Sequence, residues 1–339
     1  MVLLLHCSQN FPVSLANEGI VQKGYLGVDL FFLLSGFILT FVYFDQLSAP
    51  TWRSFFVFMW HRFIRLYPVH ITVLGALVVI VLISGKIGLH LRSPEAFTFD
   101  TLPSQILLIH AWSGHASWNV PSWSISAEWF AYLCFPLVAF SLARVRYPRW
   151  AVVIAILSLG TSASIFTLSG WGLSGAWTAP SALVRIMGSF VCGVALCRYA
   201  VLSGLMESNS RRNDAVAMAA LILFLSGIAI GLPDFISVAL LAVFVGALAM
   251  SRGITAQLFS LAPIVWLGEI SYSLYMVHFP VLRALGIVLT PNRISPTAAL
   301  PLAIIVCIAC AAVVYYLIER PVRSRLRDTV GRHTKAALA

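Results

Sequence analysis

The sequence predicts an all-α fold, a polytopic transmembrane helical bundle of about ten spans with the first one truncated, on three observations. Hydrophobic residues make up 60% of the 339 and charged residues only 10%, with a mean hydropathy of +0.92; a chain of that composition has its core bounded by lipid. Apolar runs of roughly 20 residues, the length that crosses a bilayer, recur from end to end. The basic residues between those runs are shared unequally, as the positive-inside rule requires.

Taken in order, Met1–Cys7 is apolar but too short to cross and reads as the tail of a first span. Complete spans follow at about Gly24–Phe44, Tyr67–Ser84, Trp123–Leu142, Trp150–Leu168, Pro180–Arg198, Ala215–Gly231, Phe235–Ser251, Ile264–Leu289 and Ala298–Ile318. If the remnant begins inside, 16 of the 22 basic residues fall in inner segments, while Lys23, Lys86, Arg92 and Arg293 are outer and Arg185 and Arg283 lie inside spans. Dropping one span would scramble that asymmetry, so the charges support the count as well as the orientation. Thr51–Leu66 mixes Phe and Trp with Arg53, His61, Arg62 and Arg65, the pattern of an amphipathic helix lying on the inner leaflet. Gly85–Ser122 is the longest connection, lies outside and carries His90, His110, Trp112, His115 and Trp118, with a short interfacial helix expected at Ile106–Ala111. Its aromatic residues suit both anchoring at the membrane–water boundary and stacking on a sugar ring. One integral domain over residues 1–321 and a basic inner tail over 322–339 complete the organisation.

Composition also excludes. The formal charge of +10 is not a nucleic-acid signal, because 19 of the 22 basic residues are Arg and most lie between spans. Cys134, Cys192, Cys197, Cys307 and Cys310 lie in or beside spans without metal-ligand spacing, so they read as buried small hydrophobes and no metal is expected. No signal peptide is expected, since no charged segment precedes His6.

The chemistry is sought among the few ionisable residues within or bordering spans, each of which is costly there and needs a partner. Asp29 enters its span from the outside and His6 ends the remnant near the same depth, so the two are expected to meet. A carboxylate that fixes an imidazole makes it a good general base; a structural interhelical hydrogen bond is the alternative. Arg62 and Arg65, spaced i, i+3, share a helical face at the inner boundary, where they suit either phosphate groups or lipid headgroups. Ser124 and Glu128, spaced i, i+4 in PSWSISAEWF, share a face at the outer start of a helix, and Glu128 lies too deep to be explained by helix-start chemistry alone. Tyr275 and His278, at i and i+3 in LGEISYSLYMVHFP, form a candidate relay or a structural contact. The adjacent Glu319 and Arg320 read as an inner boundary pair without chemistry.

These motifs resemble one family. GVDLFFLLSGFILT after an upstream His, HRFIRLYP, PSWSISAEWFAYLCFP, LGEISYSLYMVHFP and a final IERP, in that order over residues 3–321, are similar to those of acyltransferase family 3, integral membrane proteins that O-acylate sugars. The resemblance implies acetyl-CoA or another acyl-CoA as cytoplasmic co-substrate, and a sugar or lipid-linked glycan hydroxyl as acceptor. It also implies a multi-pass place among the lipids of a bacterial inner membrane. It makes His6 the catalytic His, supported by Asp29, places Arg62 and Arg65 at the donor, and makes Ser124 and Glu128 the Ser-x-x-x-Glu motif. An Arg about ten residues before that His has no counterpart here, and the expectation is a gene start set too late. No esterase-like domain is expected after the last span. Two other classes fit part of the pattern: a secondary transporter or flippase relaying protons through Asp29, Glu128 and His278, which predicts inverted repeats that the sequence does not show, and a scaffold or sensor with vestigial chemistry.

Overall fold

A computed structural model describes residues 1–11, 19–87, 97–206, 211–289 and 295–326. His90, Arg92, Arg293 and the tail beyond residue 326 lie outside the described residues. The described chain is helical throughout: α1 (Val2–Asn10), α2 (Gly19–Gln22), α3 (Leu26–Leu47), α4 (Trp52–Ile87), α5 (Leu102–Ile106), α6 (Ser122–Leu142), α7 (Pro148–Ser169), α8 (Ser181–Leu202), α9 (Arg211–Ala229), α10 (Asp234–Ala249), α11 (Ile254–Phe259), α12 (Ala262–Glu269), α13 (Ser271–Leu289) and α14 (Pro296–Val314). Among the described residues, eight helices are long and apolar enough to cross a membrane, and α10 is a shorter apolar helix of 16 residues. Large apolar side chains such as Phe41, Leu137, Ile156, Leu223, Ile305 and Leu317 point outward, as they do where lipid is the solvent.

Three expectations are corrected. Thr51–Leu66 is not a separate surface helix: α4 runs unbroken for 36 residues through Pro68, about 54 Å at 1.5 Å per residue, and projects beyond a roughly 30 Å hydrocarbon core. The amphipathic pattern was the inner end of a span. The expected span Ile264–Leu289 is two helices that part at Ile270, because α12 ends there and α13 starts anew at Ser271. The short outer helix is Leu102–Ile106, and the chain then turns through Leu108 at φ 57°.

That outer connection folds into the bundle instead of lying on it. Gln105, His110 and Trp118 are buried. Trp118 packs edge-on against Phe97 and Phe99, so it is neither an interfacial anchor nor an open sugar platform. Ser126 of α6 donates to Leu108 O (2.8 Å) and accepts from Ala111 N (3.1 Å), and Asn119 Nδ2 donates to Met276 O of α13 (2.8 Å). Burial, reinforced by the neighbouring His70 imidazole, pushes the His110 pKa down to about 3. The folded protein therefore keeps His110 neutral where the unfolded chain, with a pKa near 6.5, takes up a proton. Stability is expected to fall as pH drops from about 6.5 towards 3, and His110→Gln to lose part of that dependence in detergent melts. An unchanged slope would exonerate His110.

α8 is the hub, packed by α3, α7, α6 and α10. Its closest neighbour is α3, and the seam is set by two glycines: a Cβ on Gly36 would stand 2.1 Å from Phe190 O, and one on Gly193 2.1 Å from Leu33 O. The two backbones touch, which is how small residues join helices where lipid offers no hydrophobic drive. This accounts for the Ser35-Gly36 pair: Gly36 meets α8, while Ser35 turns to α6. Gly36→Val is expected to lower the unfolding midpoint in detergent by an amount equivalent to about 1–3 kcal/mol. A wild-type midpoint would show that the seam can open freely.

Candidate functional site

Asp29, 1% exposed, is held by α8 and not by His6. Its carboxylate accepts from Arg185 Nη2 (2.6 Å), from Arg185 Nε at 3.2 Å to each oxygen, and from Ser189 Oγ (3.2 Å). Arg185, equally buried, also donates to Leu173 O and Tyr25 O, and its guanidinium lies 5.5 Å from the Trp123 ring centroid. The expected His6–Asp29 pair is thus corrected: the partner that a membrane carboxylate demands is a cation from a span far along the chain.

His6 is positioned by its own helix and by the end of the bundle. α1 buries Cys7 and Phe11 in a small core with Leu282, Leu289, Ala303 and Cys307, which docks it on α13 and α14. His6 Nδ1 then lies 3.1 Å from Gln9 Oε1, a contact that suits the tautomer with its proton on Nδ1 and Nε2 unprotonated. Its ring stands 5.3 Å from those of His278 and Phe279. His278 donates Nδ1 to Leu274 O, and its Nε2 is buried without a partner. Tyr275 lies 5.8 Å from His278, centroid to centroid. The structure thus brings His6, Tyr275 and His278 together, as the i, i+3 spacing in α13 allowed.

His6 and Tyr275, but not His278, line a cavity of about 670 Å³ at the end of the bundle that the positive-inside rule assigns to the outside. Its wall includes His6, Tyr25, Trp123, Arg185, Tyr275 and Arg283. The Tyr275 hydroxyl is hydrogen-bonded to Ser124 Oγ (2.8 Å), which places the Ser of Ser-x-x-x-Glu one bond behind that wall. One turn further along α6, Glu128 is fully enclosed and accepts from Tyr132 and from Ser35 Oγ (3.4 Å). Its Oε2 has no partner.

A second cavity, about 480 Å³, opens at the opposite end, which the positive-inside rule assigns to the inside, and is lined by Tyr43, His61, Arg62, Arg65, Arg320 and Arg323 among others. Arg62 donates to the Tyr43 hydroxyl (2.9 Å), and its guanidinium lies 5.8 Å from the Tyr132 ring centroid. Arg65 is ion-paired with Glu319, which also accepts from Ser273 (2.7 Å) and pairs with Arg323. Glu319 is therefore the buried counter-ion of the Arg-x-x-Arg face, not a boundary pair with Arg320. It sits at the end of a π-helical turn, Tyr315–Glu319, a local widening that recurs at functional sites.

The α6 face joins the two ends. Reading inward, the order is Tyr275, Ser124, Glu128, Tyr132 and Arg62. Asp29, Glu128 and His278, weighed as a proton relay, are not linked to one another: each is committed to different groups, Arg185, Tyr132 and Leu274 O respectively. Sequence reasoning passed over Arg185 and Glu319. Both were visible as charges in or at the edge of spans, but Asp29 had been given to His6 and Glu319 to Arg320, so the actual pairs went unread.

Comparison with known proteins follows the same line. Residues 1–317 match the family described as Acyltransferase domain. The chain is 30% identical to the acyltransferase MdmB of Streptomyces mycarofaciens over 94% of its own length and 85% of that protein's. It is 25% identical to the peptidoglycan O-acetyltransferase OatA of Listeria monocytogenes and 22% identical to the O-acetyltransferase OatA of Staphylococcus aureus, and it spans about half the length of both (52% and 53%). No solved structure matches. The chain belongs to the acyltransferase 3 family of integral membrane proteins.

Proposed function

We propose that the protein is an O-acyltransferase that moves an acyl group, acetyl foremost, from cytoplasmic acyl-CoA to a hydroxyl of a sugar or cell-surface glycan. One observation supports this above the others: a guanidinium-lined cavity at one end and a His6-lined cavity at the other, with a line of buried polar side chains along α6 between them. The CoA phosphates would be met by the inner arginines, and the pantetheine arm would pass along α6 towards His6. The aromatic wall of the outer cavity offers faces for a sugar ring.

In this scheme the acceptor hydroxyl gives its proton to His6 Nε2 as its oxygen attacks the thioester carbonyl. The new C–O bond forms, the C–S bond breaks, and CoA leaves as the thiol with the proton returned from His6. A route by way of an acyl-enzyme uses the same groups in two steps. Tyr275, Ser124 and His278 would orient the acceptor and the imidazole. The relatives named as O-acetyltransferases lend weight to acetyl as the group and to a glycan as the acceptor.

Vesicles containing the protein, given radiolabelled acetyl-CoA and a panel of peptidoglycan fragments, macrolides and simple glycosides, test the reading. Alkali-labile label on one acceptor class is the expected result. Its absence from every class, with the protein folded and oriented, would sink it.

A further inference from the structure

The inner cavity holds more positive charge than the Arg-x-x-Arg motif supplies. Arg62 and Arg65 come from α4, while Arg320 and Arg323 reach the same space from the last helix, and among the described residues no carboxylate lines the cavity. The two motif arginines are already engaged. Arg65 is tied to the buried Glu319, and Arg62 is tied to Tyr43 and enclosed by Tyr43, Phe58 and Tyr132. Arg320 and Arg323 are exposed, and the Arg323 side chain keeps 44% of its surface accessible despite lying 3.4 Å from Glu319. Four guanidinium groups line this concave space, and Glu319 is paired with only two of them, Arg65 and Arg323, so positive charge is in excess there.

Ordinary positive-inside residues point to headgroups, singly and on the outside of a bundle. These two instead face an inner cavity walled by Tyr43 and Tyr315, beside a buried Arg62 Nε that has no partner. The planar forks suit phosphate oxygens taken two at a time. A ligand that satisfies such a cradle carries several phosphates on a compact body, which is the chemistry of a nucleotide and not of a single headgroup.

We propose that Arg320 and Arg323 grip the phosphates of the donor's nucleotide, and that Arg62 and Arg65 form the pre-set floor of that site, with Glu319 holding Arg65 in place. The inference rests on the acyl-CoA reading above and extends it to residues of the last helix.

The test compares acetyl-CoA with acetyl-pantetheine, which carries the thioester but no phosphate, on the full protein in zwitterionic vesicles. Arg320→Gln and Arg323→Gln are each expected to reduce the preference for acetyl-CoA, measured as a ratio of kcat/KM, by about tenfold or more, and the Lys variants by less. Loss of both activities in equal proportion would mark these arginines as structural only, and an unchanged ratio would remove them from the site. Titration of CoA itself into the detergent-solubilised protein separates this from the wider reading: CoA bound by the wild type and weakly by the variants upholds the grip even where no transfer is seen. Absence of binding to the wild type overturns it. If the variants instead lose only a stabilisation conferred by anionic lipid, the phosphates belong to headgroups and the proposal falls.

Discussion

His6→Ala is expected to slow acyl transfer by about 10²- to 10⁴-fold, the usual worth of a positioned general base, with little change in the KM for acetyl-CoA. The two cavities give the reason for the split. His6 lines the outer one, while the arginines that would bind the donor line the inner one, so loss of the imidazole leaves the donor's binding groups intact. Gln9→Leu is the companion measurement. It frees His6 Nδ1 from its 3.1 Å acceptor, allowing the proton to move to Nε2 and occupy the lone pair. A fall in kcat for Gln9→Leu, with recovery in Gln9→Glu, ties the effect to the tautomer and not to packing. A His6→Ala enzyme as fast as the wild type would remove His6 from the chemistry.

The second large effect is on stability. Asp29→Ala leaves Arg185 buried with its counter-ion gone, a change that costs about 3–5 kcal/mol where a buried pair is broken on one side only. The double variant Asp29→Ala/Arg185→Met removes both charges and is expected to regain most of the loss, because the pair's own net contribution is small against its desolvation. Thermal unfolding in detergent checks both. Catalysis supplies a second readout: Arg185 borders the outer cavity, so the double variant is expected to be folded yet impaired in turnover. A double variant no more stable than Asp29→Ala alone would mean that α3 and α8 are joined chiefly by something other than this pair.

How much of this was legible beforehand depended on whether a feature is local. Spans such as Ser122–Leu142 and Pro148–Ser169 were read to within a residue or two at most ends, because length and apolarity alone decide them. The break at Ile270 was not, although Gly268, Glu269 and Ser271 mark it, because the apolar runs on either side were read as one span. The Ser124 and Glu128 pair was legible as one helical face, because i, i+4 geometry is intrinsic to a helix. Which partners would come from other helices was not: Tyr275 belongs to α13 and Ser35 to α3, whereas Tyr132, four residues after Glu128 on α6, was within reach of the same rule. Depth matching brought His6 and Asp29 to the same end of the bundle, and depth is all that topology provides. The choice of Arg185 over His6 was made by the lateral seam at Gly36 and Gly193, which brings α3 against α8 with no room between. Glu319 was misread for the same reason: its sequence neighbour Arg320 was obvious, and its spatial neighbour Arg65 lies 254 positions away.

The Asp29–Arg185 pair also sets a problem of timing during biogenesis. Its two halves are 156 positions apart, with several spans between them. At a synthesis rate of about 5–20 residues per second, α3 leaves the ribosome some 8–30 s before its cation exists. Over that interval Asp29, near the start of α3, carries an uncompensated cost of roughly 2.5–3.5 kcal/mol in the lipid. The arrival of α8 with Arg185 relieves that cost, so the first half of the chain is settled by a charge that the second half brings.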